Sequence, residues 1–206
     1  MRGFMMRAAL PVLALVVLTT ACKKDEELQL TYPAGFQLGT AEEVSLVKFY
    51  TNVNGSVKEV PTASAALGTH EVFNQNNLTN SESVIFQKFT LESENSASIE
   101  GFALGGAPIS LDQVPYTRKG NDWSFDVNVT VGNTNTTVKV TASDYNGGLA
   151  VPYHAWAWKQ KSGLASTIQS TRLPQSVTLL GDPLKELKAG DTVAIMTYKL
   201  AYTSVE

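Results

Sequence analysis

An all-β fold of antiparallel strands, arranged as a β-sandwich or alternatively as a lipocalin-like barrel, follows from three observations. Trp123, Phe125, Val127, Val129 and Val131 alternate strictly with Ser124, Asp126, Asn128 and Thr130, one face apolar and one wet. Short apolar runs recur between turn dipeptides such as Asn54-Gly55 and Asn146-Gly147. No long stretch carries the 3.6-residue periodicity of an amphipathic helix, and no internal repeat is visible. The sandwich is the first expectation.

The chain opens differently from the rest. Arg2 and Arg7 precede an almost unbroken apolar run from Ala8 to Leu18, and small residues then lead to Cys22. As a helix that run rises only about 16 Å, too short for a hydrocarbon core of about 30 Å, and Pro11 interrupts it. It reads as a signal peptide over residues 1–21.

The segment Leu18-Thr19-Thr20-Ala21-Cys22 resembles the lipobox of bacterial lipoproteins, with Thr19 standing where that family favours Leu. The resemblance implies cleavage before Cys22 and acylation of its thiol by palmitate-type chains. Cys22 is the single cysteine, so it has no disulfide partner within the chain. Several acyl chains anchor where one binds only marginally, each buried CH₂ contributing about 0.8 kcal/mol. Lys23-Lys24-Asp25-Glu26-Glu27 then resembles the start of surface lipoproteins of Bacteroidetes-type bacteria, which implies the outer membrane and its outer face, the periplasmic face being the alternative. The same charges also read as a solvated linker, so residues 22–32 form a lipidated flexible tether and 33–206 a single domain.

Composition suits that domain. Its hydrophobic fraction of 43% can fill a core, while charged residues make up only 17% and Ser, Thr, Asn and Gly take their place. The net charge of −3, with no basic cluster, excludes nucleic acid as a partner.

Along the domain, Val44–Thr51 reads as a strand with two part-buried faces or as a short helix capped by Thr40 and Glu43. Asn54-Gly55 turns it into Ser56–Val60, a hairpin. Residues 61–80 are polar and irregular. Val84–Leu91 and Ala97–Leu104 are the next strands. A three-strand meander follows: Trp123–Val131, then Thr137–Ala142, then Leu149–Lys159, with Gly132–Asn135 and Asn146–Gly148 as its turns. A mixed stretch containing Pro174 precedes the last strand, Thr192 to about Thr203.

Catalytic signals are weak, and the reading is of a non-enzyme without cofactor. There is no Gly-x-Ser-x-Gly elbow, and Ser45-Leu46-Val47-Lys48 lacks the companion motifs of penicillin-interacting enzymes. His70 and His154 are the only histidines, and no metal-ligand spacing surrounds them. Scattered acids (Glu92, Glu94, Glu100, Asp112, Asp126, Asp144) would serve a glycosidase only if two met across a cleft.

One constellation stands out, Tyr153-His154-Ala155-Trp156-Ala157-Trp158. On a strand, His154, Trp156 and Trp158 share a face. Two indoles beside an imidazole form a ligand-stacking platform if exposed and part of the core if buried. A two-residue turn at Asn146-Gly147 sets Lys139 opposite His154 and turns the tryptophans outward; a three-residue loop buries them. Pro152 favours an edge or a bulge. The resulting expectation is an outer-membrane-anchored, non-catalytic binding or interaction module for glycan or an envelope protein. The alternative is a carrier of a small apolar ligand within a barrel.

Overall fold

The computed structural model describes residues 28–42, 45–61, 83–102, 106–131, 134–162, 165–177 and 182–205. Cys22 and His70 lie outside them. The described residues form eleven strands and one single-turn helix. They are β1 (Ala34–Glu42), β2 (Lys48–Val53), β3 (Ser56–Val60), β4 (Ile85–Leu91), β5 (Ser96–Phe102), β6 (Pro108–Lys119), β7 (Asp122–Val131), β8 (Thr134–Tyr145), β9 (Gly148–Ser162), β10 (Ala165–Pro174), α1 (Pro183–Glu186) and β11 (Thr192–Val205).

The turn chemistry sets the hairpins. Asn54 and Gly55 take φ of 53° and 82°, Asn146 and Gly147 φ of 48° and 77°, the left-handed pairs that a two-residue hairpin turn needs. Val53 accordingly pairs with Ser56, and Tyr145 with Gly148. Strands β4 to β8 then run as an antiparallel meander, each paired with the next.

The sandwich expectation is corrected by the last strand. Along its second half, β11 pairs with β1 on one side, from Glu42↔Lys199 to Gly35↔Val205, and with β9 on the other, through Leu149↔Tyr202. The sheet therefore closes through β9-β8-β7-β6-β5-β4-β1-β11 and back to β9, an eight-stranded antiparallel barrel. A sandwich would have left two separate sheets with their own edges, whereas closure removes them. This is the architecture of the alternative expectation.

At the closure the strands approach tightly. A Cβ on Gly148 would sit 2.0 Å from the Tyr202 carbonyl oxygen, so only glycine lets β9 start so close to β11.

Strands β9 and β11 outrun the barrel. Their far halves, with β10 on one flank and β2 and β3 on the other, make an outer sheet ordered β10-β9-β11-β2-β3. The expected three-strand meander β7-β8-β9 is present, its second hairpin much shorter than its first. β8 and β9 pair over only three residue pairs, ending at Ser143↔Ala150. From Tyr153 onward β10 replaces β8 beside β9, with Leu173 opposite His154 and Thr171 opposite Trp156. Pro152 sits at the handover: it has no N–H for the ladder, and its carbonyl accepts from Gln175 N instead (2.8 Å). The stretch around Pro174 is thus a strand, and so are Ala34–Glu42 and Pro108–Lys119, which the apolar pattern alone did not mark.

The barrel interior is filled. Phe36, Phe89, Trp123, Phe125, Tyr153 and Tyr202 are all at most 1% exposed. Phe89 lies at the centre, its ring 5.6 Å from Phe86, 5.1 Å from Phe125 and 5.0 Å from Tyr202. The phenols inside are satisfied: Tyr202 donates to the Phe86 carbonyl (2.9 Å), and Phe86 N donates to the Tyr153 hydroxyl (3.3 Å). Burial pushes both well above the usual phenol range, and Tyr198 up to about 12. Outside, Asp126 pairs with Lys139 (2.7 Å), and Thr137 donates to Asn128 (2.7 Å). An apolar inside and a charged outside invert the pattern of a lipid-facing barrel.

One end of the barrel is capped by the residues that enter it. Leu28, Leu30 and Tyr32 pack against the core, although the sequence places them at the end of the tether. Asp144 holds the cap: its carboxylate accepts from the Trp123 indole N–H, from Leu28 N (2.8 Å) and from Arg118 Nη2 (2.7 Å). Arg118 in turn donates to the Leu28 carbonyl (2.8 Å) and lies over the Trp123 ring.

Candidate functional site

On the outer sheet, β9 and β11 present one face away from the barrel interior. Cross-strand pairs His154–Thr197, Trp156–Ile195 and Trp158–Val193 lie along it. Tyr153 and Ala155 point the other way, into the core. The two-residue turn thus sets the parity, but Lys139 does not stand opposite His154, because β8 has already left β9.

The face is not an open platform: Trp156 and Val193 belong to the same hydrophobic cluster as the barrel core, and residues of the segment 182–191 stand against it. Asp182 caps α1, its carboxylate accepting from Leu184 N (3.0 Å), and Pro183 begins the turn. Leu184 and Leu187 pack on the same cluster as Trp156 and Trp158. Trp156 is only 7% exposed.

Between this roof and the sheet lies a pocket of about 490 Å³, lined by His154, Trp156, Ile195, Asp182, Pro183, Lys185 and Glu186. That volume suits a small organic molecule. The His154 and Trp156 rings meet in its wall, 4.7 Å between centroids and tilted by 54°. The third candidate residue, Trp158, is not in the lining: its indole N–H donates to Asp191 Oδ2 (3.2 Å), which also accepts from Lys188 N (3.2 Å) and so fixes the end of the roof. The structure thus brings His154 and Trp156 together and gives Trp158 to the support.

The roof residues Asp182, Pro183, Lys185 and Glu186 are the part of the site that sequence reasoning missed. Their signal was present: an Asp followed by Pro and then an acid within the first turn marks a helix start.

Burial lowers the His154 pKa below the ordinary imidazole value, with Asp182 opposing the shift. Its Nε2 is buried and has no hydrogen-bond partner among the described residues. The unfolded chain takes up a proton near pH 6.5, while the folded chain resists until lower pH. Stability is therefore full above pH 6.5 and falls as pH drops through the window below it. Urea midpoints should decline as pH drops below about 6.5 in the native chain and decline less in His154→Gln. Equal declines would show that the ring titrates alike in both states.

Four of the six acids named in the sequence have other partners. Asp144 and Asp126 hold Arg118 and Lys139, Glu100 lies 3.9 Å from Lys88, and Glu92 accepts from Ser98. Ser45 Oγ accepts from Thr197 N (2.8 Å), so its hydroxyl serves the backbone of β11. Among the described residues no group of three or more His, Cys, Asp or Glu side chains is placed to hold a metal ion. Set against models of known protein families, characterised proteins and solved structures, the chain matches none of them.

Proposed function

We propose that the protein is a lipid-anchored binding protein of the bacterial outer membrane, holding a small, largely apolar ligand in the pocket between α1 and the β9–β11 face. The lipobox-like segment ending at Cys22 supports the anchor. The pocket supports the ligand, and its walls describe it: a flat ring or short hydrocarbon to lie on Trp156, Ile195 and Pro183, with one polar group toward His154, Asp182 or Lys185. Relative to a carrier with a central cavity, the site has moved outside the barrel, because aromatic rings occupy the centre. No catalytic step is assigned to it.

The carrying observation is the apolar pocket walled by His154 and Trp156. Titration with 1-anilinonaphthalene-8-sulfonate, a planar apolar probe, tests it. The native chain should bind with a blue-shifted, enhanced emission, and Trp156→Ala should weaken binding at least about tenfold, some 1.4 kcal/mol. A Trp156→Ala chain that stays folded and binds equally well would sink the assignment.

A further inference from the structure

The geometry points to the capped end of the barrel as a membrane-contacting surface, which holds the pocket on the side facing away from the lipid. This rests on acylation of Cys22, the anchor proposed above, and adds to it the orientation of the molecule.

The inference comes from the length of chain between two fixed points. Leu28 is pinned to the barrel by its own N–H on Asp144 and its carbonyl on Arg118, and its side chain packs on the core. Five residues, Lys23 to Glu27, separate it from Cys22. Six Cα–Cα steps reach at most about 22 Å even when fully extended. With acyl chains at Cys22 buried in the leaflet, Leu28 and the barrel end it caps stand within that distance of the headgroups. A long flexible linker would let the barrel tumble, whereas five residues keep its capped end close to the anchor.

The same end gathers the β6–β7 turn, where Lys119 pairs with Asp122, and the β8–β9 turn at Asn146-Gly147. Lys119, Asp122 and Asn146 are exposed there, a polar rim suited to headgroups rather than acyl chains. His154 lies five residues beyond Leu149 along β9, about 17 Å up the strand at 3.3 Å per residue. The pocket is thereby lifted off the lipid surface. Thr137, opposite Asn128, stands six residues along β7 from Asp122, about 20 Å from the capped end.

The test uses the full lipidated chain in phosphatidylethanolamine–phosphatidylglycerol vesicles carrying nitroxide-labelled headgroups. Acylation consumes the single native thiol, so a cysteine introduced at Lys119 or at Thr137 takes a fluorophore selectively. Lys119→Cys should be quenched severalfold more strongly than Thr137→Cys. Inserting about a dozen Gly and Ser residues after Glu27 should erase most of that difference, since such a linker behaves as a random coil. Equal quenching at both sites in the native-length chain overturns the orientation while leaving the anchor standing. A chain that does not associate with vesicles at all overturns the anchor, and the orientation with it.

Discussion

Asp144→Ala is expected to destabilise the protein by about 3–5 kcal/mol, because it removes the buried carboxylate of an ion pair and with it the acceptor of several buried donors. The Asp144 side chain is 3% exposed and the Arg118 side chain 20%. Three donors converge on that carboxylate: the Trp123 indole, Leu28 N and the Arg118 guanidinium. Without it the indole N–H of a fully buried tryptophan has lost its acceptor, and the Arg118 guanidinium has lost its hydrogen-bonded contact with Asp144. For a domain of this size the loss corresponds to a fall in Tm of roughly 10 °C or more. Asp144→Asn, which retains an acceptor for Trp123 but not the charge, should cost less. Thermal and urea unfolding of both variants check this; a loss below about 1 kcal/mol for Asp144→Ala would mean the cap contributes little. The variant should also release Leu28, exposing the segment to proteolysis ahead of the barrel.

Phe89→Ala should cost a similar amount, about 3–5 kcal/mol, for a different reason. Phe89 is fully buried and touches the rings of Phe125 on β7 and Tyr202 on β11. Three staves of the barrel meet on this one side chain. Removing it takes away the transfer energy of a phenyl ring and leaves a void that a closed sheet cannot collapse to fill. Phe89→Leu, closer in volume, should lose clearly less. Chemical denaturation measures the difference. The pair of variants also bears on where the ligand sits: a barrel whose centre served as the binding cavity would tolerate Phe89→Ala with little loss of stability.

Parts of this fold are legible in the residues because they depend on near neighbours. The run from Trp123 to Val127 announces which face is inside, and Asn54-Gly55 and Asn146-Gly147 announce their turns, since both features are decided within a few positions. Closure was not legible: the pairing of Gly35 with Val205 joins the two ends of the domain, and no local pattern encodes it. Strand β10, Ala-Ser-Thr-Ile-Gln-Ser-Thr-Arg-Leu-Pro, reads as polar, and it becomes a strand because β9 has an edge left free where β8 departs. The fate of the tryptophans shows the same division. Their parity follows from the turn at Asn146-Gly147, as the residues suggest. Their surroundings come from residues 182–191, some thirty positions further on, which share a pocket with Trp156 and bond the Trp158 indole through Asp191.

The strand that completes the ring is the last of the described strands in chain order, so it is synthesised after the ten others. Until residues 192–205 are present, β1 and β9 have no shared neighbour, and every shorter piece of the chain is a curled open sheet with adhesive borders. Assembly must therefore wait for contacts between the most distant parts of the domain, a topology that slows folding and lengthens the time spent vulnerable to aggregation.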